Sequence, residues 1–339
     1  MPRPQLTIPR GRNHGYLRRC ACAAVPPTSP SSSAARAAAG SAARSAQSSA
    51  CNRPRAETMR FAEGTIFVRL LENVRGRDVY VVQSTIYPAN DNVVELLFWL
   101  DACRRASAAS VTAVVPYFSY GKGDKKDEPR VSIRARVLAD AIEVAGADRV
   151  VTMDLHAPQI QGFFRVPVDD LYAMPILVDA IRRAGERDPV VVSPDSGYAK
   201  MARRFARRLG GGFALADKTR SGHDEEAEVF GLLGDVAGRD AVLVDDFVAS
   251  GGTLVEAAER LVERGARSVI AAATHGLFSG DAATKLATSP IERVIVTNTV
   301  ESHPQPLGER IEVVSVAGLF AEAIKRIHER ESISVLFRE

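Results

Sequence analysis

Two adjacent carboxylates lie directly before a loop suited to anion binding, in the stretch VLVDDFVASGGTL from Val242 to Leu254. The apolar run at its start predicts a central strand of a parallel sheet, and the residues from Thr253 onward have the apolar spacing of a helix. A strand, a glycine-containing turn and a helix N-terminus together bind phosphate through backbone N–H groups and the helix dipole. Asp245 and Asp246 would repel that phosphate, so we predict that they hold hydroxyl groups or a metal beside it.

The same stretch resembles the phosphoribosyl-diphosphate loop of type I phosphoribosyltransferases, over the residues Val242 to Thr253. The resemblance implies that the two acids bind the ribose hydroxyls and that the following loop binds the 5-phosphate. The alternative is a generic strand, turn and helix with solvated acids. We favour the binding site, because adjacent acids at the carboxyl end of a buried strand are costly without a ligand.

Acids and a histidine follow two further predicted strands. Asp154 and His156 lie in VTMDLHAPQIQGFF, and Asp195 lies in VVSPDSG. Strand ends are the usual position of ligand-binding groups in open sheets, so these side chains are candidates for a hard cation such as Mg²⁺. A lone histidine, however, is more often a hydrogen-bonded polar residue than a metal ligand, and it is an unusual ligand for magnesium.

Two polar loops carry cations that suit a polyphosphate. The stretch PYFSYGKGDKKDEPRVSI follows a strand and contains the basic residues Lys122, Lys125, Lys126 and Arg130. Polyphosphate binding competes here with an ordinary solvated surface, which is the usual role of a charge run. The stretch ADKTRSGHDEEAEVFG places Lys218 and Arg220 at the start of a loop, where such residues stabilise charge that develops in a transition state.

Composition indicates a globular protein and argues against several classes of function. Of the 339 residues, 46% are hydrophobic and 25% are charged, and no apolar run is long enough to span a membrane. The net charge of +3 arises from residues 1–56, which contain nine Arg and no Lys, Asp or Glu. The rest of the chain is mildly acidic and has no basic stripe that indicates nucleic acid. Only Cys103 lies outside this segment, so no disulfide framework or zinc site is indicated, and we expect Cys103 to be buried.

Residues 1–56 differ from the rest of the chain in composition. The stretch PPTSPSSSAARAAAGSAARSAQSSA is of low complexity and has no periodic apolar face, so we expect disorder. An Arg- and Ser-rich segment without acids is typical of an organellar transit peptide. The interpretation that we favour is an altered or misassigned N-terminus, with the working protein in the cytoplasm.

Strands and helices alternate beyond Glu57, which predicts an α/β fold with mainly parallel sheets flanked by helices. The predicted strands are Asp78–Gln83, Ser110–Pro116, Arg149–Asp154, Pro189–Pro194, Ala241–Asp245, Ser268–Ala273 and Arg293–Thr297. A faint internal repeat matches GRDVYVVQSTIYPANDNVVELL from Gly76 with GRDAVLVDDFVASGGTLVEAA from Gly238. Chance similarity between two α/β units competes with a true repeat. If the repeat is real, only the second copy has the phosphate loop.

A series of motifs resembles the ribose-phosphate pyrophosphokinase (PRPP synthetase) family, in the family's order and spacing from about Arg60 to the end of the chain. The motifs are ENVRG, NDNVVELL, DACRRASA, VVPYF, DLHAPQIQGFF, VVSPD, GDVAGRD and ESISVLF. The resemblance implies two phosphoribosyltransferase-like domains, related as an internal duplication, in a homo-oligomer with the active site near a subunit interface. A hexamer is the expected assembly. The resemblance also implies Mg²⁺-dependent conversion of ATP and ribose 5-phosphate to PRPP and AMP.

The resemblance assigns roles to residues at matching positions. His156 and Asp195 match the metal-binding residues, Lys218 the catalytic lysine, and Arg220 its partner in catalysis and sugar-phosphate binding. Ribose 5-phosphate is also expected at Asp245, Asp246, Ala249, Ser250, Gly251, Gly252 and Thr253. ATP is expected at Phe61, Glu63, Gly64, Thr65, Lys122 and Gly123. Three sites depart from the family's common pattern: Glu63-Gly64-Thr65 replaces Asp-Gly-Glu, Lys122-Gly123 replaces Arg-Gln, and Ala249 replaces an acid.

The resemblance also predicts the division of the chain. We expect an N-terminal domain at 57–172 that lacks its first strand and helix, a C-terminal domain at 173–328, and a tail at 329–339 that packs back on the N-terminal domain. Two alternative functions remain. A nucleobase phosphoribosyltransferase has no reason to carry the segment Asp154–His156 or the basic loop. A non-catalytic regulatory subunit of PRPP synthetase would be expected to lose Lys218 or the metal-binding residues, and all of them are present.

Overall fold

The computed structural model describes residues 21–25, 56–220, 228–301, 303 and 305–337 of the chain. The strands are β1 (Ala21–Val25), β2 (Ala56–Arg60), β3 (Ile66–Leu70), β4 (Asp78–Val82), β5 (Ser110–Val115), β6 (Arg149–Met153), β7 (Val168–Leu171), β8 (Pro189–Ser193), β9 (Gly212–Arg220), β10 (Glu228–Leu233), β11 (Asp240–Val248), β12 (Ser268–Gly276), β13 (Arg293–Thr297) and β14 (Ile311–Val314). The helices are α1 (Ala89–Arg105), α2 (Arg134–Ala145), α3 (Met174–Ala184), α4 (Ala199–Leu209), α5 (Gly252–Glu263), α6 (Ala282–Thr288) and α7 (Ala317–Glu329). None of the described helices has the length and apolar character needed to cross a membrane.

The strands form two main sheets and a separate hairpin. The first sheet has the order β1-β4-β5-β6-β7, the second has the order β10-β9-β8-β11-β12-β13-β14, and β2 pairs with β3. Neighbours are parallel from β4 to β7 and from β9 to β14, whereas the outer pairs β1–β4 and β10–β9 are antiparallel. All seven apolar runs predicted as strands are strands, and the predicted parallel α/β architecture is confirmed.

The internal repeat is visible in the turns that lead into β4 and β11. Gly76 and Gly238 have nearly the same positive φ, 70° and 69°. The Gly76 N–H donates to the Ser107 carbonyl and the Gly238 N–H donates to the Gly265 carbonyl, each at 2.8 Å. Residues with a Cβ rarely adopt this φ, so the same turn requires glycine in both copies. Equivalent turns before equivalent parallel strand pairs support a duplicated α/β unit.

One continuous core joins the two sheets. Val151 of the first sheet and Val242 of the second belong to it, together with Ile181 of α3, Phe205 of α4 and Ile324 of α7. All five side chains are essentially inaccessible to solvent. Parallel strands covered on both faces are apolar at successive positions, which explains why these runs show no alternation. The helices between the sheets therefore fix how the strand ends of one sheet face those of the other.

A second core packs α1 and α2 on the opposite face of the first sheet. Trp99 and Leu100 of α1 and Ile142 of α2 are at most 1% exposed. Cys103 lies in the same cluster, is fully buried and has a free thiol. The prediction of a buried structural cysteine is therefore confirmed.

The first sheet has an outer strand that the sequence analysis did not predict. β1 pairs antiparallel with β4, from Ala21 opposite Val82 to Val25 opposite Asp78. The expectation that residues 1–56 leave this sheet without its outer strand is therefore wrong for residues 21–25. The strand ACAAV was missed because alanine has a low strand propensity and no polar residue alternates with it. Ala56 also lies in a strand, the first residue of β2, and the expected disorder of residues 1–20 and 26–55 concerns residues outside the described ranges.

The end of the described chain lies against the first sheet. The rings of Tyr172, which follows β7, and Phe337 meet edge-to-face with centroids 5.9 Å apart. This contact agrees with the predicted tail, and the domain boundaries at 172 and 328 stay predictions.

Asp170 in β7 is a buried acid that makes stability depend on pH. Burial, and next the charge of Asp154, raise the pKa of Asp170 to about 8. A raised pKa means that the folded state binds the proton more tightly, so this stabilisation is full below about pH 4 and is lost as the pH rises through about 8. We expect Asp170→Asn to raise the Tm more at about pH 9 than at about pH 5, because the amide never ionises. Circular dichroism melts test this, and an equal shift at both pH values would contradict it.

Candidate active site

Strands of both sheets end at a shared region. β6 ends at Met153 in the first sheet, and β11 and β12 end at Val248 and Gly276 in the second. His156, which follows β6, reaches Asp246 of β11, and His156 Nδ1 lies 2.6 Å from Asp246 Oδ2. The structure thus brings together the predicted metal-binding histidine and one of the two predicted sugar-binding acids.

The environment of His156 leaves one ring nitrogen for a ligand. Its side chain is 40% exposed, whereas that of Asp246 is 11% exposed. The hydrogen bond to Asp246 raises the pKa of His156, and burial opposes that shift. Because Nδ1 faces the carboxylate, Nε2 is the nitrogen available to a ligand at the open side of the site.

The ring of Phe247 connects this cluster with the predicted nucleotide loop. Lys122 Nζ lies 4.2 Å from the centroid of the Phe247 ring, and the His156 ring lies 5.8 Å from it. A cation over an aromatic face is attracted by the quadrupole of the ring. Lys122 and Gly123 form part of a 3₁₀ turn after β5. The predicted ATP loop therefore contacts the sugar-side strand directly.

The predicted phosphate loop leads into the N-terminus of α5. Gly251 is the N-cap residue and has a left-handed φ of 76°, which a residue with a Cβ rarely adopts. No described side chain caps this helix, and Gly252 and Thr253 are exposed. The first backbone N–H groups are therefore open to an anion, which the helix dipole favours. The Ala249 carbonyl accepts the Ser279 N–H at 3.0 Å, so Ala249 shapes the loop through its backbone.

The two acids before this loop are crowded and poorly solvated. Asp245 Oδ1 accepts the Asp246 N–H and Asp246 Oδ1 accepts the Phe247 N–H, each at 2.9 Å. Burial, and next the charge of Asp246, raise the pKa of Asp245 well above its ordinary value. Ionisation of both acids is therefore costly without a ligand, and hydroxyl donors or a cation would stabilise the charged pair.

Asp195 lies at the neighbouring strand end and is exposed. Its Oδ1 accepts the Tyr198 N–H at 3.1 Å, and its charge contributes to the raised pKa of Asp245. β8 and β11 are adjacent parallel strands, so both acids leave the sheet at the same edge. Within the described ranges, no three His, Cys, Asp or Glu side chains form a ready metal cluster. One or two protein ligands, completed by substrate oxygens, is the arrangement expected for Mg²⁺.

The contacts of Asp154 do not agree with its interpretation as a cation ligand. Its carboxylate is buried, and Oδ2 accepts the Ala173 N–H at 2.9 Å and the Thr274 hydroxyl at 2.6 Å. Burial raises the pKa of Asp154 to about 6, and both hydrogen bonds oppose that shift. Because protein donors occupy this oxygen, Asp154 has a structural role in the site.

The residues predicted for catalysis lie on β9, which is next to β8. The backbone of Lys218 is opposite Phe230 in the β9–β10 ladder, and Arg220 ends the strand. Ser193 of β8 pairs with Leu215, so the chain reaches Lys218 shortly beyond the edge where Asp195 lies. The side chains of Lys218 and Arg220 are outside the described part of the chain, as are residues 221–227.

The predicted adenine-binding residues Phe61, Glu63, Gly64 and Thr65 form the tip of the β2–β3 hairpin. The Phe61 N–H donates to the Thr65 carbonyl at 2.9 Å, and the Phe61 side chain is 46% exposed. Among the described residues, this tip makes no hydrogen bond or ring contact with His156 or Asp246. The ATP loop, by contrast, meets the histidine and the sugar-side strand through Phe247.

Three residues of the site were missed by the sequence analysis. Phe247 was given no role, although it directly follows the paired acids. Thr274 and His275 are the first polar residues after the predicted strand Ser268–Ala273. The strand-end criterion that selected Asp154 and His156 would have selected them too.

Two parallel α/β sheets, with paired acids and an open helix N-terminus at one strand end, define a protein of the type I phosphoribosyltransferase architecture in duplicate. A family model for the N-terminal domain of ribose phosphate pyrophosphokinase matches residues 34–146. A second model, the phosphoribosyl synthetase-associated domain, matches residues 223–338.

Relatives of known identity extend this similarity over most of the chain. The chain is 49% identical over 278 residues to ribose-phosphate pyrophosphokinase of Aquifex aeolicus (strain VF5), covering 82% of this chain and 89% of the relative. It is 48% identical over 282 residues to that of Pasteurella multocida (strain Pm70), with the same coverage. The crystal structure of phosphoribosylpyrophosphate synthetase from Mycobacterium smegmatis has 41% identity and a TM-score of 0.77, covering 82% of this chain and 92% of that chain. The chain belongs to the ribose-phosphate pyrophosphokinase family and is an enzyme of that class, a ribose-phosphate diphosphokinase.

Proposed function

We propose that this site transfers the β,γ-diphosphoryl group of Mg²⁺-bound ATP to the 1-hydroxyl of ribose 5-phosphate, giving PRPP and AMP. The observation that carries the proposal is the 2.6 Å contact between His156 and Asp246. It joins the predicted metal ligand, which follows the first sheet, to a predicted sugar ligand in the second. Direct transfer between two bound substrates needs positioning and charge neutralisation more than covalent catalysis, and this geometry supplies both.

The end of β11 and the start of α5 hold the sugar phosphate. Backbone N–H groups of residues 250–253 bind the 5-phosphate, because the helix N-terminus is uncapped and exposed. Asp245 and Asp246 accept hydrogen bonds from ribose hydroxyls, which offset the charge of these crowded acids. The sugar 1-hydroxyl then attacks the β-phosphorus, the bond from that phosphorus to the α,β-bridging oxygen breaks, and AMP leaves.

The donor set fits a magnesium ion. His156 and Asp195 would hold Mg²⁺ together with substrate phosphate oxygens, since this ion takes few protein ligands. Burial, and next the charge of Asp246, disfavour ionisation of Asp245, so a divalent cation nearby would favour its charged form. The ion supplies neutralisation of the charge on the transferring phosphates.

Three basic side chains complete this neutralisation. Lys218 and Arg220, on the strand beside β8, stabilise the charge that develops on the diphosphoryl group in the transition state. Lys122 binds the ATP phosphates from the opposite loop. Its contact with Phe247 keeps the ammonium group beside the sugar acids before ATP binds.

We also propose a homo-oligomer, with a hexamer as the expected assembly. The exposed tip of the β2–β3 hairpin supports this, because Phe61, a predicted ATP-binding residue, is 46% exposed and its ring contacts that of Phe67 in the same hairpin. In the proposed assembly this tip completes the adenine side of a neighbouring subunit's site. A cytoplasmic location stays a prediction.

One assay tests the proposed reaction against its alternatives. Purified chain, ATP, ribose 5-phosphate and Mg²⁺ should yield equimolar AMP and PRPP, measured by anion-exchange chromatography. A non-catalytic regulatory subunit would form neither product. A nucleobase phosphoribosyltransferase would join PRPP to a base and release pyrophosphate, and it would form no AMP from ATP and ribose 5-phosphate.

Phe61→Ala is expected to raise the KM for ATP by about tenfold and to leave the KM for ribose 5-phosphate within about twofold. Stacking of a base on an aromatic ring contributes about 1–3 kcal/mol, and about 1.4 kcal/mol corresponds to a factor of ten. Initial rates at varied ATP test this. Met59→Ala is the matched control, because Met59 is an equally exposed apolar residue of the same hairpin. A KM for ATP equal to that of the control would contradict the stacking role.

Mixing two variants, one with a low kcat and one with weakened ATP binding, tests whether sites are shared between subunits. A site in a mixed oligomer can combine the intact tip of a Lys218→Ala chain with the intact lysine of a Phe61→Ala chain. Activity of the mixture above the sum of the separate variants is expected at low ATP. Strict additivity after subunit exchange would contradict a shared site.

A further inference from the structure

The carboxyl end of β12 is tied to the carboxyl end of β6 by buried polar contacts. The Thr274 hydroxyl donates to Asp154 Oδ2 at 2.6 Å, and His275 Nε2 lies 3.1 Å from the Met153 carbonyl oxygen. Thr274 and His275 are 1% and 3% exposed. These bonds cross from the second sheet to the first where water cannot compete with them, so they resist separation of the two strand ends.

A backbone irregularity in β12 directs these side chains out of their own sheet. The β12–β13 ladder shifts register between Ala273 and His275. Such bulges redirect side chains next to active sites. Thr274 lies at the shift, outside the regular ladder with β13, and its hydroxyl reaches the other sheet.

The ring of His275 is held by both nitrogens. The Met153 carbonyl can only accept a hydrogen bond, so His275 Nε2 carries the proton. Nδ1 then accepts from the Thr299 hydroxyl, which lies 2.8 Å away. The Tyr117 ring, from the loop after β5, meets the His275 ring edge-to-face at 5.0 Å. The imidazole therefore cannot turn without losing a buried bond, and it acts as a rigid spacer between the sheets.

The tie, meaning the Thr274–Asp154 and His275–Met153 hydrogen bonds, lies beside the His156–Asp246 contact. That contact brings the two halves of the active site together. Asp154 precedes His156 by two residues, and the parallel register of β11 and β12 places Asp246 beside Thr274. The Thr274–Asp154 bond and the His156–Asp246 contact are therefore neighbouring bridges from the end of β6 to the adjacent strands β12 and β11. Opening the buried bridge would also widen the exposed one.

The Asp154 carboxylate also holds the chain at the point where it passes from the first sheet to the second. Asp154 Oδ2 also accepts the N–H of Ala173, the residue between β7 and α3. The backbone of Asp154 has a positive φ of 43°, which turns the chain toward His156. One buried group thus fixes the turn that presents the histidine, the crossing between sheets and the end of β12.

We propose that Thr274 and His275 are positioning residues that set the distance between the nucleotide half and the sugar half of the active site. Neither residue needs to touch a substrate. When the tie is broken, the ligands of the metal and of the sugar remain, but they are together in only a fraction of the molecules. Apparent affinity falls in proportion to that fraction, whereas turnover of the fully loaded enzyme changes little. The choice of Mg²⁺ as a kinetic readout rests on the proposed function.

Paired variants at each position separate the tie from general packing. Thr274→Val removes the hydroxyl at nearly constant volume, and Thr274→Ser keeps it. His275→Leu removes the donor to the Met153 carbonyl, and His275→Gln keeps an N–H donor. Leu100→Ala is the stability control, because Leu100 is a fully buried core residue of α1 that has no part in the tie.

The kinetic experiment measures activity against Mg²⁺ concentration. Thr274→Val and His275→Leu are expected to raise the Mg²⁺ concentration for half-maximal rate by about tenfold, with kcat at saturating Mg²⁺ within about threefold of the unmodified chain. For Thr274→Ser and His275→Gln, the Mg²⁺ concentration for half-maximal rate should lie within about threefold of that of the unmodified chain. Leu100→Ala should lower the Tm without changing the requirement.

Hydrogen exchange followed by mass spectrometry tests the tie without activity. Peptides covering 154–160 and 245–248 should exchange faster in Thr274→Val than in Thr274→Ser, in the absence of substrates. If Thr274→Val does not fold, the comparison of His275→Leu with His275→Gln decides in the same way. Equal exchange and equal Mg²⁺ requirement within each pair would overturn the proposal. A chain that forms no PRPP but shows the expected exchange would overturn only the proposed function.

Discussion

Lys218→Ala is expected to lower kcat by about 10²-fold or more and to leave the KM for ribose 5-phosphate within about twofold. The lysine is proposed to meet charge that appears on the diphosphoryl group only as it transfers. An interaction made in the transition state and absent in the ground state is lost from kcat, and not from substrate binding. Its place on β9, beside the strand that leads to Asp195, agrees with a position at the transferring phosphates.

Initial rates of AMP formation at saturating substrates, together with calorimetric binding of ribose 5-phosphate, test this expectation. Lys285→Ala is the matched control, because it removes a surface lysine of α6 whose partner is Asp281 of the same helix turn. The control should keep full activity. A kcat for Lys218→Ala within about threefold of the unmodified chain would show that another group stabilises the transition state.

The strands at the centre of the parallel runs were predictable from sequence, whereas β9 and the edge strands β7 and β14 were not. The run Ala241–Asp245 lies inside β11, which has neighbours on both sides and helices on both faces, so burial leaves an uninterrupted apolar signal. β7 has the sequence VDDL and β14 has IEVV, and both lie at sheet edges. An edge strand needs fewer apolar residues, since one side faces no partner. Its sequence therefore resembles a loop.

The strand-end criterion located most of the site but could not assign roles within it. It selected His156, Asp195 and the acids of β11, because polar groups at carboxyl ends of parallel strands converge in any such sheet. It could not distinguish Asp154, whose carboxylate is occupied by Ala173 and Thr274, from a ligand-binding acid. That distinction depends on how one sheet faces the other. The contacts that decide it join residues up to 120 positions apart in sequence.

The strand-end criterion could not find the predicted ATP-binding residues of the hairpin at Phe61. Its residues were selected through resemblance alone, and the structure places them at a hairpin tip where Phe61 is exposed. A single exposed aromatic residue is common on protein surfaces, so neither the hydrophobic pattern nor exposure alone marks Phe61 as part of a site.

Asp246→Asn is expected to raise the KM for ribose 5-phosphate by about 10- to 100-fold, with a much smaller effect on the KM for ATP. A hydrogen bond to a charged group contributes about 1.5–3 kcal/mol, and an amide oxygen accepts less strongly than a carboxylate. The substitution also removes the charge that faces His156 Nδ1 at 2.6 Å, so the Mg²⁺ requirement should rise as well. Asp245→Asn should also raise the KM for ribose 5-phosphate.

Kinetics at varied ribose 5-phosphate, with ATP and Mg²⁺ saturating, measure this effect. Asp235→Asn is the matched control, because its carboxylate accepts the Ala237 N–H in the turn before β11, at the opposite end of the strand from the site. The control should leave both KM values unchanged. If Asp246→Asn instead weakens ATP binding and leaves ribose 5-phosphate binding intact, the acids face the nucleotide. The anion site at the start of α5 would then require a ligand other than the sugar phosphate.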